Sequence, residues 1–261
     1  MVSNEKYRKF VIPELVQFWK NHKQDYLNSG LTDGLFLPYV YPGYDACQKK
    51  IFYIGQDAPY WEPVSRMADN FDVGNIREYI WWNNHVMQKV EDRLGWGNHT
   101  SFWTMIVKTH LYILTNKWYG DINKISSTDK VLLDTMGYGN VHFIPRTHTI
   151  NRYPGHNINK AFYDIVDNAL KRFNYLQPIV DNFEPDTIVI LGTAFNKKRY
   201  FNGLNIQWLN LPNYVPSNLI SVGDILGTQK TVRLIWVYNP SYYSFAGTNM
   251  QDVADLIKLY A

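Results

Sequence analysis

Apolar and polar positions alternate along the chain with two different periods. Over residues 5–27, Phe10, Val11, Leu15, Val16, Phe18 and Trp19 recur at helical spacing, with Pro13 near the start. Ile51 to Ile54 reads as a short buried strand, broken at Gly55 by Gln-Asp-Ala-Pro-Tyr. Asn75 to Leu94 returns to the helical period through Ile76, Tyr79, Ile80, Val86, Met87 and Val90, and Gly95 stops it. Phe102 to Val107, extendable to Leu114, is β-prone. Residues 115–157 are polar and irregular, punctuated by Gly137, Gly139, Pro145, Pro154 and Gly155. So long a stretch without a period is a functional excursion or a missed element.

Asn159 to Phe183 predicts a long helix, with Ala161, Ile165, Ala169, Leu170 and Leu176 on its face and Pro178 placed to kink or divide it. Thr-Ile-Val-Ile-Leu-Gly, 187–192, is the clearest buried strand, and a short helix is expected from Thr193. Val232 to Val237 is another β-branched run, and Asp252 to Tyr260 closes the chain as a helix. Strands alternating with helices favour an α/β fold. The expectation is a single domain over residues 1–261 with three α/β/α layers. Its central four-stranded parallel sheet is drawn from strands near 51–54, 102–107, 187–191 and 232–237.

Composition narrows the class. Apolar residues make up 46% of the 261, enough for a full core and against global disorder. No apolar run approaches the roughly 20 residues of a membrane span. The charged start, Met-Val-Ser-Asn-Glu-Lys, does not read as a signal peptide. Cys47 is the single cysteine, which excludes an intramolecular disulfide, a four-cysteine zinc site and a cysteine-held iron–sulfur cluster. A reducing cytoplasm is the expected location. The net charge of +3 is compatible with nucleic acid without pointing to it. Twenty tyrosines and nine tryptophans suit either surfaces that stack on flat partners or an aromatic-rich core. His142, His148 and His156 show no metal-ligand spacing, so no metal is expected.

Five stretches occur in a telling order: Gly-Gln-Asp-Ala-Pro-Tyr at 55–60, Phe-Asp-Val-Gly at 71–74, Trp-Thr-Met-Ile-Val-Lys at 103–108, Pro-Asp-Thr-Ile-Val-Ile-Leu-Gly-Thr-Ala at 185–194, and Val-Tyr-Asn-Pro-Ser-Tyr-Tyr-Ser at 237–244. Together they resemble the uracil-DNA glycosylase superfamily. The first is similar to the Gly-Gln-Asp-Pro-Tyr motif of its main uracil-excising branch, with Ala58 inserted. The later ones are closer to the thermostable bacterial and archaeal branch. The resemblance implies an enzyme that flips a nucleotide out of DNA and hydrolyses its N-glycosidic bond, with a sugar cation forming and the base leaving as an anion. DNA is the implied partner, no cofactor is called for, and a monomer is expected.

The roles implied by the resemblance are specific. Asp57 would offset the sugar cation and orient the attacking water; its own motif alone favours a helix N-cap, and the other four motifs reverse that preference. Asn239 would donate its amide to the departing base, or else make an Asx-turn before Pro240. Phe71 would stack on the flipped base, with a core position as the alternative, and Gln56 and Tyr60 would line the same pocket. Thr193 and Ser241 match positions that pinch DNA phosphates. Tyr242, Tyr243 and Phe245 fall where a wedge fills the gap left by the base, unless that loop packs against the core.

Two departures bear on the substrate. Met105 aligns with the asparagine that reads uracil in the thermostable branch, and a thioether cannot donate a hydrogen bond. The expected substrate is therefore a modified or damaged base, for example a modified phage pyrimidine, which would imply a defence role. Plain uracil excision remains open if Asn70 or Gln56 supplies the reading amide. So do a non-catalytic binder of DNA or a partner on the same fold, and a hydrolase of free nucleosides. The branch's cluster cysteines are absent. Residues 115–157 have no counterpart; Arg146, His148, Arg152 and His156, with Tyr138 and Tyr153, suggest a DNA-contacting insertion, a pocket wall or a solvated loop.

Overall fold

A computed structural model describes residues 2–28, 38–55, 101–140, 176–192 and 201–261, the last without 202, 214, 216–218, 228, 241, 242 and 244–246. In chain order the elements are α1 (Val2–Asn28), β1 (Tyr39–Val40), β2 (Ile51–Gly55), α2 (Ser101–Thr115), α3 (Ser127–Lys130), β3 (Gly137–Asn140), α4 (Leu176–Phe183), β4 (Thr187–Leu191), β5 (Asn205–Trp208), β6 (Ile220–Leu226), β7 (Val232–Val237) and α5 (Met250–Tyr260). Short 3₁₀ turns occupy Tyr44–Ala46, Ile122–Lys124 and Val131–Thr135. The predicted helix over 75–94, and most of the one over 159–183, lie outside the described residues.

The fold is α/β, and the strands form one mixed seven-stranded sheet in the order β1-β3-β2-β4-β7-β6-β5. The four-stranded sheet expected from the sequence is thus only its centre: β3, β2, β4 and β7 run parallel, and β1, β6 and β5 add antiparallel edges. Three of the four parallel strands are those predicted. The fourth is not. Residues 102–107 belong to helix α2, and the place beside β2 is taken by Gly137–Asn140, from the stretch read as irregular.

The cause of the first difference is length. The apolar run continues from Phe102 to Leu114, twice a typical strand, and its buried members, Met105, Ile106 and Val107 and then Thr109, His110 and Leu111, recur four residues apart as on a helix. The cause of the second is glycine. A Cβ on Gly137 would lie 2.2 Å from the Phe52 ring, so this strand is bare to let that ring lie against it.

Alternation along the strands sends neighbouring side chains to opposite faces, and both faces are covered. On one, Phe52 stacks on Phe183 of α4 (5.2 Å), which stacks on Tyr7 of α1 (4.8 Å). On the other, Ile51, Tyr53, Val189 and Ile235 pack with Met105 and Leu111 of α2 and Val253 and Ile257 of α5. Pro13 lies inside α1, which begins earlier than predicted. At the amino edge of the sheet, Asp186 ties three strands together. Its carboxylate accepts from the Lys50 N–H (2.7 Å), its N–H donates to the Lys50 carbonyl (2.8 Å), and its carbonyl accepts from the Arg233 N–H (2.9 Å). No helix among the described residues is long and apolar enough to cross a membrane.

Candidate functional site at the carboxyl edge

With the amino edge stitched, the opposite edge is where the chain departs from β2, β4 and β7. The register there is even. Ile54 pairs with Ile190 and Ile190 with Trp236; Leu191 pairs with Val237, and Gly55 with Asn140. Gly192 extends the row, its N–H donating to the Val237 carbonyl at 3.1 Å. Strands lie about 4.8 Å apart, so the ends of β2 and β7 are about 10 Å from each other.

Asp57, Thr193 and Asn239 each stand two residues beyond that row, after Gly55, Leu191 and Val237. In chain order the parallel strands are arranged second, first, third, fourth, so the crossovers reverse direction between β2 and β4. Open α/β sheets bind ligands at such a reversal, outside the strands' carboxyl ends. The chain leaves the described sheet there after Gly55 and Gly192, and after Val237 one strand away.

Of the predicted site residues, Gln56, Asp57, Tyr60, Phe71, Thr193, Ser241, Tyr242 and Phe245 lie outside the described residues, as do Asn70 and His142, His148 and His156. Asn239 is half-buried directly after β7. Before it, the Tyr238 N–H donates to the Leu219 carbonyl at 2.9 Å; after it, Pro240 is buried.

Two residues sit elsewhere than expected. Met105, predicted on a strand facing the base, is on α2 and has no exposed surface. It fills the core between sheet and helix, where it reaches no ligand at the edge. Tyr243, predicted as part of an exposed wedge, is 2% exposed and packs in the same core. Its N–H donates to the Pro240 carbonyl (3.3 Å), its carbonyl accepts from the Thr248 N–H (3.1 Å), and burial raises the pKa of its phenol. The alternative foreseen for this loop, packing against the core, holds at Tyr243. Tyr138, grouped with the irregular insertion, is likewise buried, in a cluster with Trp103, Phe102 and Tyr39.

His110 was not picked out from the sequence. It is fully buried on α2: Nε2 donates to the Leu132 carbonyl (3.1 Å) and lies 3.0 Å from Thr135 Oγ1, and Nδ1 is 3.4 Å from the Tyr53 hydroxyl. A carbonyl can only accept, so Nε2 carries the proton and Nδ1 faces the phenol as an acceptor. Burial pushes its pKa down to about 4, against a smaller opposing pull from the Leu132 carbonyl. This histidine locks α2 to the turn that leads into β3.

A cavity of about 460 Å³ lies at the other, amino edge, among Lys6, Phe10, Val180, Glu184, Lys230 and Val232. Lys6 pairs with Glu184 (2.6 Å) and Lys230 with Asp186 (2.7 Å) beside it. Among the described residues no group of three histidine, cysteine or acidic side chains could hold a metal ion. No model of a protein family matches the chain, and neither a curated protein nor a solved structure does.

Proposed function

We propose that the chain is a DNA N-glycosylase acting on a pyrimidine. The observation that carries this reading is the shared register of the three strands that lead into these motifs. The strands bearing Gly-Gln-Asp-Ala-Pro-Tyr, Gly-Thr-Ala-Phe and Tyr-Asn-Pro-Ser-Tyr are consecutive in the sheet and end in one row. One nucleotide placed over that row would lie above the ends of all three strands.

Hydrolysis separates the sugar and the base with opposite charges. The Asp57 carboxylate offsets the positive charge at C1′ and aligns the water whose oxygen bonds to that carbon. Asn239 donates an amide N–H to the base carbonyl that gains negative charge as the bond breaks. The water's proton passes to Asp57 and solvent, the base is reprotonated, and an abasic sugar remains.

The expected base changes with the fold. The argument against uracil rested on Met105 at the reading position, and a core residue on a helix cannot carry it. With that argument gone, plain uracil stands beside a modified base, and the class is a pyrimidine, modified or plain. A defence role against modified phage DNA rests on the modified alternative alone.

The test is incubation with duplex and single-stranded DNAs carrying uracil, 5-substituted uracils or modified cytosines, followed by alkali cleavage and mass spectrometry of the freed base. Asp57→Asn is expected to abolish release while leaving DNA binding intact, and Asn239→Ala to lower kcat by about 10²–10³-fold. An Asp57→Asn protein that behaves as wild type in both respects would make the chain a binder and sink the hydrolase reading.

A further inference from the structure

We infer that β5, the last strand of the sheet, pairs with β5 of a second copy of this chain across a two-fold axis at Gln207, so that two sheets become one. This goes beyond the glycosylase reading and does not depend on it. It departs from the monomer that the resemblance implies.

The hydrogen-bonding pattern of β5 leaves a self-complementary edge. β5 runs antiparallel to β6, with Gln207 opposite Asp224 and Trp208 opposite Gly223. In the same register the Leu209 N–H donates to the Val222 carbonyl at 2.9 Å. Antiparallel partners alternate between bonded and non-bonded pairs, so Leu209, Gln207 and Asn205 turn their main-chain groups towards β6. Ile206 and Trp208 turn theirs outward, where β5 has no neighbouring strand among the described residues. A second β5, set antiparallel, brings Ile206 opposite the partner's Trp208 and Trp208 opposite the partner's Ile206. Each of these pairs exchanges two N–H···O=C bonds. The register also lays a β-branched residue against an aromatic one twice, on a single face.

Side chains and charge point to the same occupant. Trp208 is 42% exposed, yet its ring is held: it meets Phe201 at 5.3 Å, and Phe201 meets the buried Trp236 at 5.5 Å. A tryptophan fixed in this way loses little freedom when it is covered, which suits an interface anchor. From Tyr200 to Gly223 the sequence holds no Asp, Glu, Lys, Arg or His. Sheet edges that face water are commonly guarded by charge, lysine above all, and this one is not. The lack of cations disfavours nucleic acid as the occupant, and the lack of either sign gives a charged peptide nothing to pair with. A two-fold contact has the opposite requirement, because a charge at its centre would meet its own copy. Gln207, on the axis, is exposed and neutral.

The test is sedimentation velocity on the full chain, without DNA, from about 1 μM to about 1 mM. Wild type is expected to pass from monomer to dimer over that range. Gln207→Lys and Gln207→Glu each set two like charges against one another across the axis, and each should raise the dissociation constant by about tenfold or more. Mixed in equal amounts, the two variants should recover the dimer, now as a heterodimer with opposite charges facing. Trp208→Lys removes the anchor and should weaken the contact in the same direction. If that variant fails to fold, the two Gln207 variants decide alone. Wild type that stays monomeric throughout leaves the edge to a peptide or another partner and overturns the inference. A dimer that none of the variants weakens is built on another surface and overturns it too. So does a mixture of the Gln207 variants no more dimeric than either one alone.

Discussion

His110 shows what burial does to one side chain. An imidazole with no exposed surface, paired to a carbonyl and a phenol, stays neutral in the folded chain, with its pKa pushed from 6.5 down to about 4. In the unfolded chain it takes a proton below about pH 6.5. The unfolded state therefore binds more protons between those two values, and its share grows as the pH falls. The stability this group contributes is complete above about pH 6.5 and is lost progressively down to about pH 4, a loss of about 3 kcal/mol. Urea titrations across that range should show the decline, and His110→Gln, which cannot be protonated, should flatten it. The sequence concealed this residue because a single histidine in an apolar run has no motif around it. Tyr243 was visible, but its burial was not: Tyr-Tyr-Ser-Phe after a proline looks alike whether it faces water or core.

Elements were legible where pattern and length agreed. Thr187–Leu191 and Val232–Val237 are apolar, β-branched and short, and both are strands within a residue of their predicted bounds. Ser101–Thr115 is also apolar and β-branched, and only its length distinguished it as a helix. Gly137–Asn140 carried no strand signal, because its glycines serve Phe52 on the neighbouring strand and not their own chain. That dependence is testable. Gly137→Ala forces a methyl group into a ring already stacked on Phe183, and should destabilise the fold by about 1–3 kcal/mol, read as a lower midpoint in thermal or urea unfolding. At Gly120, by contrast, a methyl group would meet nothing within 4 Å, and the same change should have little effect.

For the molecule as a whole, the α/β class and three of its four parallel strands could be read from hydrophobic runs alone. The antiparallel β5 and β6 were not predicted: Asn205–Trp208 is short and largely exposed, and Gly223 and Asp224 interrupt the apolar pattern of Ile220–Leu226. The candidate site was legible as sequence motifs, and the register adds that their strands end side by side. Electrostatics give a further expectation. A net charge of +3 is modest for a chain of 261 residues, so the DNA binding we propose would rest on a few phosphate contacts. Affinity should fall as salt rises, with log K declining by about 0.9 for each phosphate neutralised on a duplex. Binding titrations over a range of ionic strengths measure that number directly, and a slope of zero would speak against phosphate contact.

The sheet order also sets a timetable. β2 sits in the middle of the sheet, yet it is made early, while Gly137 and Thr187, its partners on either side, are made much later. During synthesis β2 therefore waits with one edge bare until Gly137–Asn140 has emerged and with the other bare until Thr187–Leu191 has. Fragments ending before Leu191 never complete it, and should clump through that open edge instead of folding.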